Sequence, residues 1–532
     1  MDVLTGERMK KVDEETIARF CPGLELMERA GRQVAEFILD RFPEKGFKAA
    51  IFVGPGNNGG DALVVARRLN EDGRACSVHY LSSPERFTMD ALKNYQRLQR
   101  RLKSSKSLKE INSTRTDWSN ILKKDLMNAT LIVDGLFGTG LARDLEGRAA
   151  DVVRLINERR LPVVSIDTPS GIHSDTGEVL GSAVRAHFTV TMGYPKLGML
   201  FHPARQRVGE LVVADLGFPE EVLQVHSLGV HLLDRAEAVQ RIVPRDPAAH
   251  KYGVGTVLLV AGSRAYTGAA MLAAEAALRS GCGMVFVAVP ESIRPVVQTR
   301  VREVIVIALP ETAEGTIAPG ALSVLQDPIS ACDVIALGPG LGRHAETSDF
   351  VKNLVAESGK PLIVDADGIN AFAGEPELLE GLRVPTVLTP HSGELQRLVG
   401  RDVPTDPLDK VETTRGIAKK LGVTLVHKGA PTLVASPDGD VWINHVGNSA
   451  LATAGTGDVL TGMVAGLQAQ GATGLAAALV ACYLHGRAGV RASSALGVRG
   501  VIAGDLLRFV GGAMRELENI MPDPPESPVP RV

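Results

Sequence analysis

Two glycine-rich segments, each predicted to open a helix, carry residues suited to chemistry, and the first also follows a predicted buried strand. The first is GPGNNGGD at 54–61 and the second is AGTGD at 454–458. Glycines at such turns let backbone N–H groups approach an anionic ligand at a helix N-terminus. Gly54, Gly56 and Gly59 also fit the GxGxxG pattern, but the next strand, RACSVHYLS, has no terminal acidic residue to bind a ribose. Hydride transfer is therefore disfavoured, and a purely structural turn remains the alternative.

Polar residues at the ends of two later predicted strands strengthen the first site. Asp134 ends LIVD, and Asp167 and Ser170 follow VVSI. Parallel α/β sheets bind ligands at the carboxyl ends of their strands. Asn58, Asp134 and Ser170 offer hard oxygen ligands for a bare cation, which leaves the Asp167 carboxylate for acid–base chemistry. Taken alone, Asp167 could equally be a helix-capping carboxylate.

The second segment combines backbone donors with a carboxylate. Gly455 and Gly457 expose N–H groups that could cradle a transferring phosphoryl group, and Asp458 could take a proton from an attacking hydroxyl group. The chain has no GxxxxGK[ST], which excludes a P-loop nucleotide hydrolase. A simple helix start would explain AGTGD by itself. An ordered series of motifs favours a site instead: AGS at 261–263, YTGAA at 266–270, GPGLG at 338–342, VDADGIN at 364–370, TPHSGE at 389–394 and HKGAPT at 427–432.

Short β-branched runs alternate with helical patterns, which predicts parallel α/β architecture. The length of 532 residues predicts two domains, with a break near 218–250 where the strand pattern lapses. Strands are predicted at 49–54, 129–134, 162–167, 255–262, 284–290, 303–309, 333–338, 361–367, 385–390 and 424–429. Helices are predicted at 60–70, 458–470 and 475–490, with exposed helix and loop over 85–125.

Composition narrows the classes of partner. The net charge is −3 and only 4% of residues are aromatic, so binding of nucleic acid through phosphate neutralisation or base stacking is not expected. The five cysteines are scattered and form no CxxC pair, which disfavours a disulfide framework or a zinc site. The charged N-terminal sequence and the lack of a long apolar run predict a cytoplasmic protein without a membrane partner.

The motifs of the first half resemble a known family. GPGNNGGDALVVARRL, VDGLFGTGL, SIDTPSG and TMGYPKLG are similar to consecutive motifs of the NAD(P)H-hydrate epimerases with a YjeF N-terminal domain, over about residues 1–218. The resemblance implies a Rossmann-like three-layer α/β/α fold and potassium held by Asn58, Asp134 and Ser170. It implies that Asp167 contacts the reacting ring as catalytic residue. The implied substrate-binding residues are Asn57, Asn58, Gly59, Gly60, Asp61, Gly138, Thr139, Gly140, Leu141, Ala142, Arg143 and Asp144. Ala62 departs from the family, which often has glycine there.

The second series of motifs resembles the ribokinase-like superfamily, an α/β/α fold. TPHSGE, KGAPT and AGTGD are similar to its NAD(P)H-hydrate dehydratase branch, over about residues 240–512. The resemblance implies that Asp458 is catalytic and that Glu394 acts indirectly on magnesium, whereas His391 replaces the asparagine of related kinases. Substrate binding is implied for Ala269, Gly340 and His391, although His391 alone could be a helix cap. Binding of ADP (or ATP) is implied for Lys428, Gly429, Ala430, Pro431, Thr432, Gly455 and Gly457.

Together the resemblances predict an enzyme that repairs hydrated NADH and NADPH. We expect an epimerase domain at 1–218, a linker at 219–239, a dehydratase domain at 240–515 and a disordered tail at 516–532. Potassium, magnesium and a nucleotide phosphoryl donor, ADP rather than ATP, are the expected cofactors, and a homo-oligomer is expected by resemblance. The alternative is a ribokinase-like kinase of a small alcohol, such as a vitamin precursor, fused to a non-catalytic binding module.

Overall fold

The computed structural model describes residues 1–44, 46–112 and 117–518. The chain divides into two compact units. One contains residues 2–230 with 406–408, and the other contains residue 1, residues 231–405 and the chain from 409 onward. No helix within the described ranges is both long and apolar enough to span a membrane.

The N-terminal unit is a parallel sheet with helices in the connections. Its described elements are α1 Gly6–Arg19, α2 Gly23–Arg41, β1 Lys48–Val53, α3 Asn57–Glu71, β2 Ala75–Tyr80, α4 Met89–Leu102, β3 Leu108–Asn112, α5 Trp118–Leu126, β4 Leu131–Gly135, α6 Gly147–Glu158, β5 Val163–Ile166, β6 Phe188–Met192, α7 Arg205–Val208, β7 Glu210–Ala214 and α8 Glu220–His226. The strand order is β3-β2-β1-β4-β5-β6-β7. The order reverses between β1 and β4, where sheets of this type bind ligands.

The C-terminal unit repeats this arrangement and extends it with antiparallel strands. Its described elements are β8 Val230–Leu232, α9 Arg235–Val239, β9 Thr256–Val260, α10 Thr267–Arg279, β10 Met284–Pro290, α11 Arg294–Arg300, β11 Ile305–Leu309, α12 Ala321–Val324, α13 Gln326–Ala331, β12 Val334–Leu337, α14 Ala345–Glu357, β13 Leu362–Val364, α15 Ala366–Asn370, β14 Thr386–Leu388, α16 Ser392–Val399, α17 Pro407–Leu421, β15 Thr424–His427, β16 Thr432–Ala435, β17 Val441–Asn444, α18 Thr456–Ala469, α19 Gly474–Leu496 and α20 Ala503–Glu518. The order is β11-β10-β9-β12-β13-β14-β15-β16-β17-β8, with β15, β16 and β17 antiparallel to one another in turn.

The central strands are continuous apolar runs because both of their faces are covered. All five residues of β9 are buried, as are all four of β12, and helix α18 is buried along most of its length. A strand that is covered on both faces loses the alternation of apolar and polar residues that marks a half-exposed strand. This burial explains why β1, β4, β5, β9, β12, β13, β14 and β15 are recognisable in the sequence.

One buried polar network ties α5 to the sheet. Asp125 accepts hydrogen bonds from Lys48 Nζ at 2.7 Å, from Ser77 Oγ and from His79, whose Nε2 lies 2.9 Å from Asp125 Oδ2. The side chain of His79 is 1% exposed and stacks on Phe52, with ring centroids 5.0 Å apart. Burial raises the pKa of Asp125, but the hydrogen bonds from His79, Lys48 and Ser77 outweigh burial and lower it, so the donors around Asp125 favour its charged form.

Three stretches differ from the sequence-based expectation. The region 85–125, predicted as exposed helix and loop, also contains the edge strand β3, whose sequence LKEIN is too polar to be recognised as a strand. The predicted linker, 219–239, carries α8, β8 and α9. Helix α20 continues to Glu518, so residues 516–518 of the predicted tail are helical, and residues 519–532 lie outside the described part of the chain.

Candidate active sites

The glycines of the turn after β1 serve mainly for backbone packing. A Cβ atom on Gly54 would lie 1.7 Å from the carbonyl oxygen of Leu136, and one on Gly59 would lie 2.0 Å from the carbonyl oxygen of Gly54. A Cβ atom on Gly56 would meet no atom of the described chain within 4 Å. The turn therefore packs closely on the loop after β4 and is open at Gly56, immediately before the N-terminus of α3.

The three predicted potassium ligands surround this loop. Ser170 donates to Asp134 twice, from Oγ to Oδ1 at 2.6 Å and from its backbone N–H to Oδ2 at 2.9 Å, and Ser165 Oγ donates to Oδ2 at 2.8 Å. Burial raises the pKa of Asp134, and the hydrogen bonds from Ser170 and Ser165 oppose the rise. Asn58 is 8% exposed.

Asn58 is the member of this group that most needs a ligand. Its side-chain nitrogen and oxygen are both buried and have no hydrogen-bond partner among the residues that the structure describes. Leaving buried polar atoms unsatisfied costs about 1–3 kcal/mol each. A cation bound by the amide oxygen would remove part of this cost, so the oxygen-rich set fits a hard cation. Within the same described ranges, no group of three or more His, Cys, Asp and Glu could hold a metal ion.

Asp167 has one anchored and one available oxygen. Oδ1 accepts from Lys196 Nζ, from the N–H of Met192 at 3.2 Å and from Thr191 Oγ1 at 3.4 Å. Oδ2 has no hydrogen-bond partner in the described chain, and it lies 3.2 Å from the position that a Cβ atom on Gly138 would take. The backbone of Asp167 is in the left-handed region, with φ of 64°, a strained conformation that is frequent at functional sites.

Lys196 is a site residue that the sequence analysis missed. It is 1% exposed, and its ammonium group donates to Asp167, to Thr191 Oγ1 at 3.0 Å and to the carbonyl oxygen of Met192 at 3.0 Å. Its loop pairs with the N-terminal segment, since the N–H of Leu197 donates to the carbonyl oxygen of Leu4 at 2.9 Å. The motif TMGYPKLG contained this lysine, but nothing in its apolar setting indicated an ion pair.

Two further carboxyl groups lie in the electrostatic environment of this ion pair. Burial, followed by the charges of Asp167 and Asp13, raises the pKa of Asp61 well above its usual range, and Lys196 opposes the rise. Burial likewise raises the pKa of Asp13, on α1, to about 7. A single ammonium group thus lies among three carboxyl groups, so the charged form of Asp61 is disfavoured.

The remaining residues predicted to bind the hydrate differ in their surroundings. Gly60 packs on α2, where a Cβ atom would lie 2.5 Å from Met27 Sδ, and Leu141 is buried in a hydrophobic cluster. Asn57 Oδ1 accepts a hydrogen bond from Thr88 at 2.9 Å. Thr139 is half-buried. Four members of the loop after β4 are exposed: Gly140, Ala142, Arg143 and Asp144.

Ala62, the departure from the family pattern, is directed away from the polar groups. It is fully buried, and its Cβ atom lies 2.5 Å from the position that a Cβ atom on Gly135 would take. The extra methyl group therefore packs on strand β4, where Gly135 makes room for it.

In the C-terminal unit the first turn of α18 holds the predicted catalytic carboxylate, Asp458. Gly455 has φ of 91°, which favours glycine, and the helix begins at Thr456. Burial, followed by the charge of Asp365, raises the pKa of Asp458 to about 7, and Lys428 opposes the rise. A carboxylate with this pKa suits a general base that works near neutral pH.

Asp365 and Thr461 are site residues that were not singled out from the sequence. Asp365 is 1% exposed and accepts from Lys428 Nζ at 2.7 Å and from Thr461 Oγ1 at 2.6 Å. Asp365 belongs to the motif VDADGIN and follows the buried strand β13. The rule that identified Asp134, a carboxylate at the carboxyl end of a buried strand, would have identified Asp365 as well.

His391 acts as a helix cap and joins two site loops. Its Nδ1 accepts from the N–H of Gly393 at 3.0 Å and of Glu394 at 3.3 Å, and Glu394 Oε2 accepts from the N–H of His391 at 2.9 Å. An isolated β-bridge connects His391 to Lys428. The ring remains 54% exposed, which leaves it accessible to a ligand. Glu394 is 6% exposed, and both its oxygens are close to His391.

The other predicted residues of this unit form two small groups. Ala269 and Gly340 are adjacent, since a Cβ atom on Gly340 would lie 2.9 Å from that of Ala269. In the loop after β15, Thr432 Oγ1 donates to the carbonyl oxygen of Gly429 at 3.1 Å. Gly429 and Ala430 are exposed and Pro431 is buried.

Fold and sites together define a two-site α/β protein, a Rossmann-like unit followed by a ribokinase-like unit. The family described as "YjeF-related protein N-terminus" matches residues 23–198, and the one described as "NAD(P)H-hydrate dehydratase" matches residues 257–510. A crystal structure of the ADP/ATP-dependent NAD(P)H-hydrate dehydratase of Bacillus subtilis, co-crystallised with ATP/Mg2+, is 30% identical. The structural alignment covers 55% of this chain and 100% of the Bacillus subtilis chain, with a TM-score of 0.46.

Full-length relatives specify the family. Proteins named "Bifunctional NAD(P)H-hydrate repair enzyme Nnr" from Moorella thermoacetica and Salinibacter ruber are each 39% identical to this chain. The first alignment covers 97% of both chains, and the second covers 96% of this chain and 95% of the relative. The chain belongs to the family of bifunctional NAD(P)H-hydrate repair enzymes. The resemblance and the fold class predicted from the sequence are confirmed, and the small-alcohol kinase with a non-catalytic module is not favoured.

Proposed function

We propose that this chain repairs hydrated NADH and NADPH with two activities. The N-terminal unit interconverts the R and S hydrates, and the C-terminal unit dehydrates the S hydrate in a nucleotide-dependent reaction. The observation that carries the proposal is that each unit has an acid–base carboxyl group, Asp167 or Asp458, at the carboxyl edge of its sheet beside a glycine turn. Relatives that match both halves of the chain support the same combination of two activities in one chain.

In the epimerase the hydroxyl group must leave one face of the ring and return to the other. The ring nitrogen lone pair assists the departure, and Asp167 Oδ2 transfers the proton while Oδ1 stays bound to Lys196. Asn57 to Asp61 and Gly138 to Asp144 bind the hydrate, with the exposed members of the second loop best placed for contact. Asn58, Asp134 and Ser170 would hold potassium, which would supply positive charge for binding the substrate.

In the dehydratase Asp458 accepts the proton of the hydrate's hydroxyl group as the oxygen attacks the terminal phosphorus of the nucleotide. The bond from that phosphorus to the bridging oxygen breaks, and the shortened nucleotide leaves. Phosphate is a better leaving group than water, so the ring then expels it with help from the nitrogen lone pair. Loss of a proton from the neighbouring ring carbon restores the dihydropyridine.

Other residues of the C-terminal unit bind the nucleotide, the hydrate and magnesium in this proposal. The residues Lys428 to Thr432, with Gly455 and Gly457, bind the nucleotide, and Ala269, Gly340 and His391 bind the hydrate. Glu394 would act indirectly on a magnesium ion, which would neutralise phosphate charge when bound. We propose ADP as the donor. The domain limits 1–218 and 240–515, the cytoplasmic location and the homo-oligomer stay predictions.

Two variants of the full chain test this division of labour. With purified R hydrate, magnesium, potassium and nucleotide, Asp458→Asn should still produce S hydrate but form no NADPH, as followed by chromatography. Asp167→Asn should convert supplied S hydrate to NADPH but leave R hydrate unchanged, apart from slow spontaneous conversion. Epimer interconversion at the wild-type rate in Asp167→Asn would show that the catalytic assignment is wrong.

A further inference from the structure

Lys428 directs its ammonium group toward the N-terminal turn of α18, away from the rest of its own loop. The group lies 3.4 Å from the position that a Cβ atom on Gly457 would take, whereas Gly429, Ala430 and Thr432 form the outer part of the loop. The backbone of Lys428 is fixed by donation from its N–H to the carbonyl oxygen of Pro390 at 2.8 Å. The side chain therefore reaches the Gly455–Asp458 turn from a rigid strand end.

A buried acceptor fixes the position of this ammonium group. Asp365 Oδ1 accepts from Lys428 Nζ at 2.7 Å, and Asp365 Oδ2 accepts from Thr461 Oγ1 at 2.6 Å. Thr461 is fully buried on α18, one helical turn after Asp458. Because both oxygens of Asp365 are occupied, the carboxylate cannot turn, and Lys428 is held in register with the helix that carries the turn.

The charges around Lys428 keep it protonated. Burial lowers its pKa, but Asp365 and Glu394 outweigh this effect and raise the pKa above its usual value. Glu394 Oε2 lies 3.8 Å from Nζ, too far for a hydrogen bond. One of the three N–H groups of Lys428 is thus used by Asp365, and the side chain, 19% exposed, retains donors for a ligand.

Gly457 keeps the space beside the ammonium group clear. A Cβ atom at this position would lie 3.4 Å from Lys428 Nζ and 4.0 Å from Asp365 Oδ2, in ordinary van der Waals contact, so the glycine leaves this volume open to a ligand. The position is on the first turn of α18, where backbone N–H groups and the helix dipole favour negative charge. An ammonium group and helix N–H groups therefore face the same small volume, with the proton acceptor Asp458 on the same turn.

We propose that Lys428 binds the phosphoryl group that is transferred, at the turn formed by Gly455 to Asp458, and stabilises its charge in the transition state. Asp365 and Thr461 act as positioning residues for Lys428. In this step the hydrate oxygen forms a bond to phosphorus as the bond from phosphorus to the nucleotide oxygen breaks, and Asp458 takes the hydroxyl proton. Lys428 neither gains nor loses a proton. The inference rests on the proposed dehydratase activity.

The test compares steady-state dehydration of S hydrate by wild type and Lys428→Met at saturating magnesium. Removing one donor to a developing anion lowers kcat by about 100-fold or more. We expect such a loss in kcat, with KM for the nucleotide changed by less than about threefold. A raised KM with unchanged kcat would show that Lys428 only binds the nucleotide, and would overturn the proposal. If wild type forms no NADPH with either nucleotide, the proposed function itself fails.

Two further variants separate positioning from folding. Thr461→Val removes the hydrogen bond to Asp365 and should lower kcat more than it raises KM, whereas Thr461→Ser should restore most of kcat. The matched control is Lys360→Met, because Lys360 Nζ donates only to the carbonyl oxygens of Ser330 and Cys332 in the described chain. Its kcat should stay at the wild-type value. Equal kcat in Thr461→Val and Thr461→Ser would contradict the positioning role.

Discussion

The raised pKa of Asp458 predicts how the dehydratase depends on pH. Burial and the charge of Asp365 bring this pKa from an ordinary value of 3.8 to about 7 in the free protein. Only the deprotonated carboxylate can accept the hydroxyl proton, so kcat/KM should follow its fraction. That fraction is about 9% at pH 6 and about 91% at pH 8, which predicts a tenfold rise in kcat/KM between these values.

Asp365→Asn should move the pH profile of kcat/KM to lower pH. The substitution removes a negative charge that raises the pKa of Asp458, so the acid limb should shift to lower pH, whatever the loss in maximal rate. The assay is NADPH formation from S hydrate at limiting substrate between pH 5.5 and 8.5. Asp438→Asn, an exposed carboxylate on the β16–β17 turn, serves as the charge-matched control.

Two results would refute this reasoning. A flat kcat/KM between pH 6 and pH 8 would mean that no group with a pKa near 7 controls proton removal. An acid limb that stays in place in Asp365→Asn, or that shifts equally in the control, would mean that the charge of Asp365 does not set the pKa of Asp458.

Three other predictions concern the N-terminal unit. Lys196→Met breaks the buried ion pair with Asp167 and should lower the free energy of unfolding of the N-terminal unit by about 3–5 kcal/mol, measured in urea through Trp118 fluorescence in a Trp442→Phe background. An unchanged midpoint would contradict the pairing. Asn58→Ala should raise the potassium concentration for half-maximal epimerisation at least about tenfold at constant ionic strength, whereas an unchanged value would exclude Asn58 as a ligand. Burial raises the pKa of Asp125, but hydrogen bonds from the sheet outweigh burial and lower it. The charged carboxylate therefore stabilises the fold above about pH 4, and this stabilisation is lost as the pH falls. When the pH is lowered from 6 to 3, the free energy of unfolding should therefore fall less in Asp125→Asn than in wild type. An equal fall would exclude Asp125 as a cause of the acid-induced loss of stability.

The strands that matter most for the sites could be predicted because they are buried on both faces. Strands β1, β4 and β9 read as continuous apolar runs, and each is followed by polar or glycine residues. Strand β3 escaped prediction because an edge strand need not be apolar, and LKEIN resembles a surface loop. Strands β16 and β17 are short and antiparallel, so they lack the strand–helix alternation that the prediction used.

The site residues that could be predicted are those that follow a recognisable strand or glycine turn. Asp134, Asp167 and Asp458 follow strands or glycine turns and were singled out on that basis. Lys196 and Thr461 were not, because their roles depend on buried partners that come from distant parts of the chain. For His391 the local sequence suggested a helix cap, and the structure has that cap at the start of α16. Its ring is exposed, and its role in substrate binding stays a prediction.

The central claim, that one chain makes the whole pool of hydrates repairable, can be tested by absorbance in the reduced-nicotinamide band. Purified protein is mixed with both NADPH-hydrate epimers, magnesium and potassium, and then with either ADP or ATP. The account predicts complete recovery of the band, with ADP as the effective donor. Recovery that stops when the S hydrate is consumed would contradict the epimerase activity, and no recovery with either nucleotide would contradict the dehydratase activity.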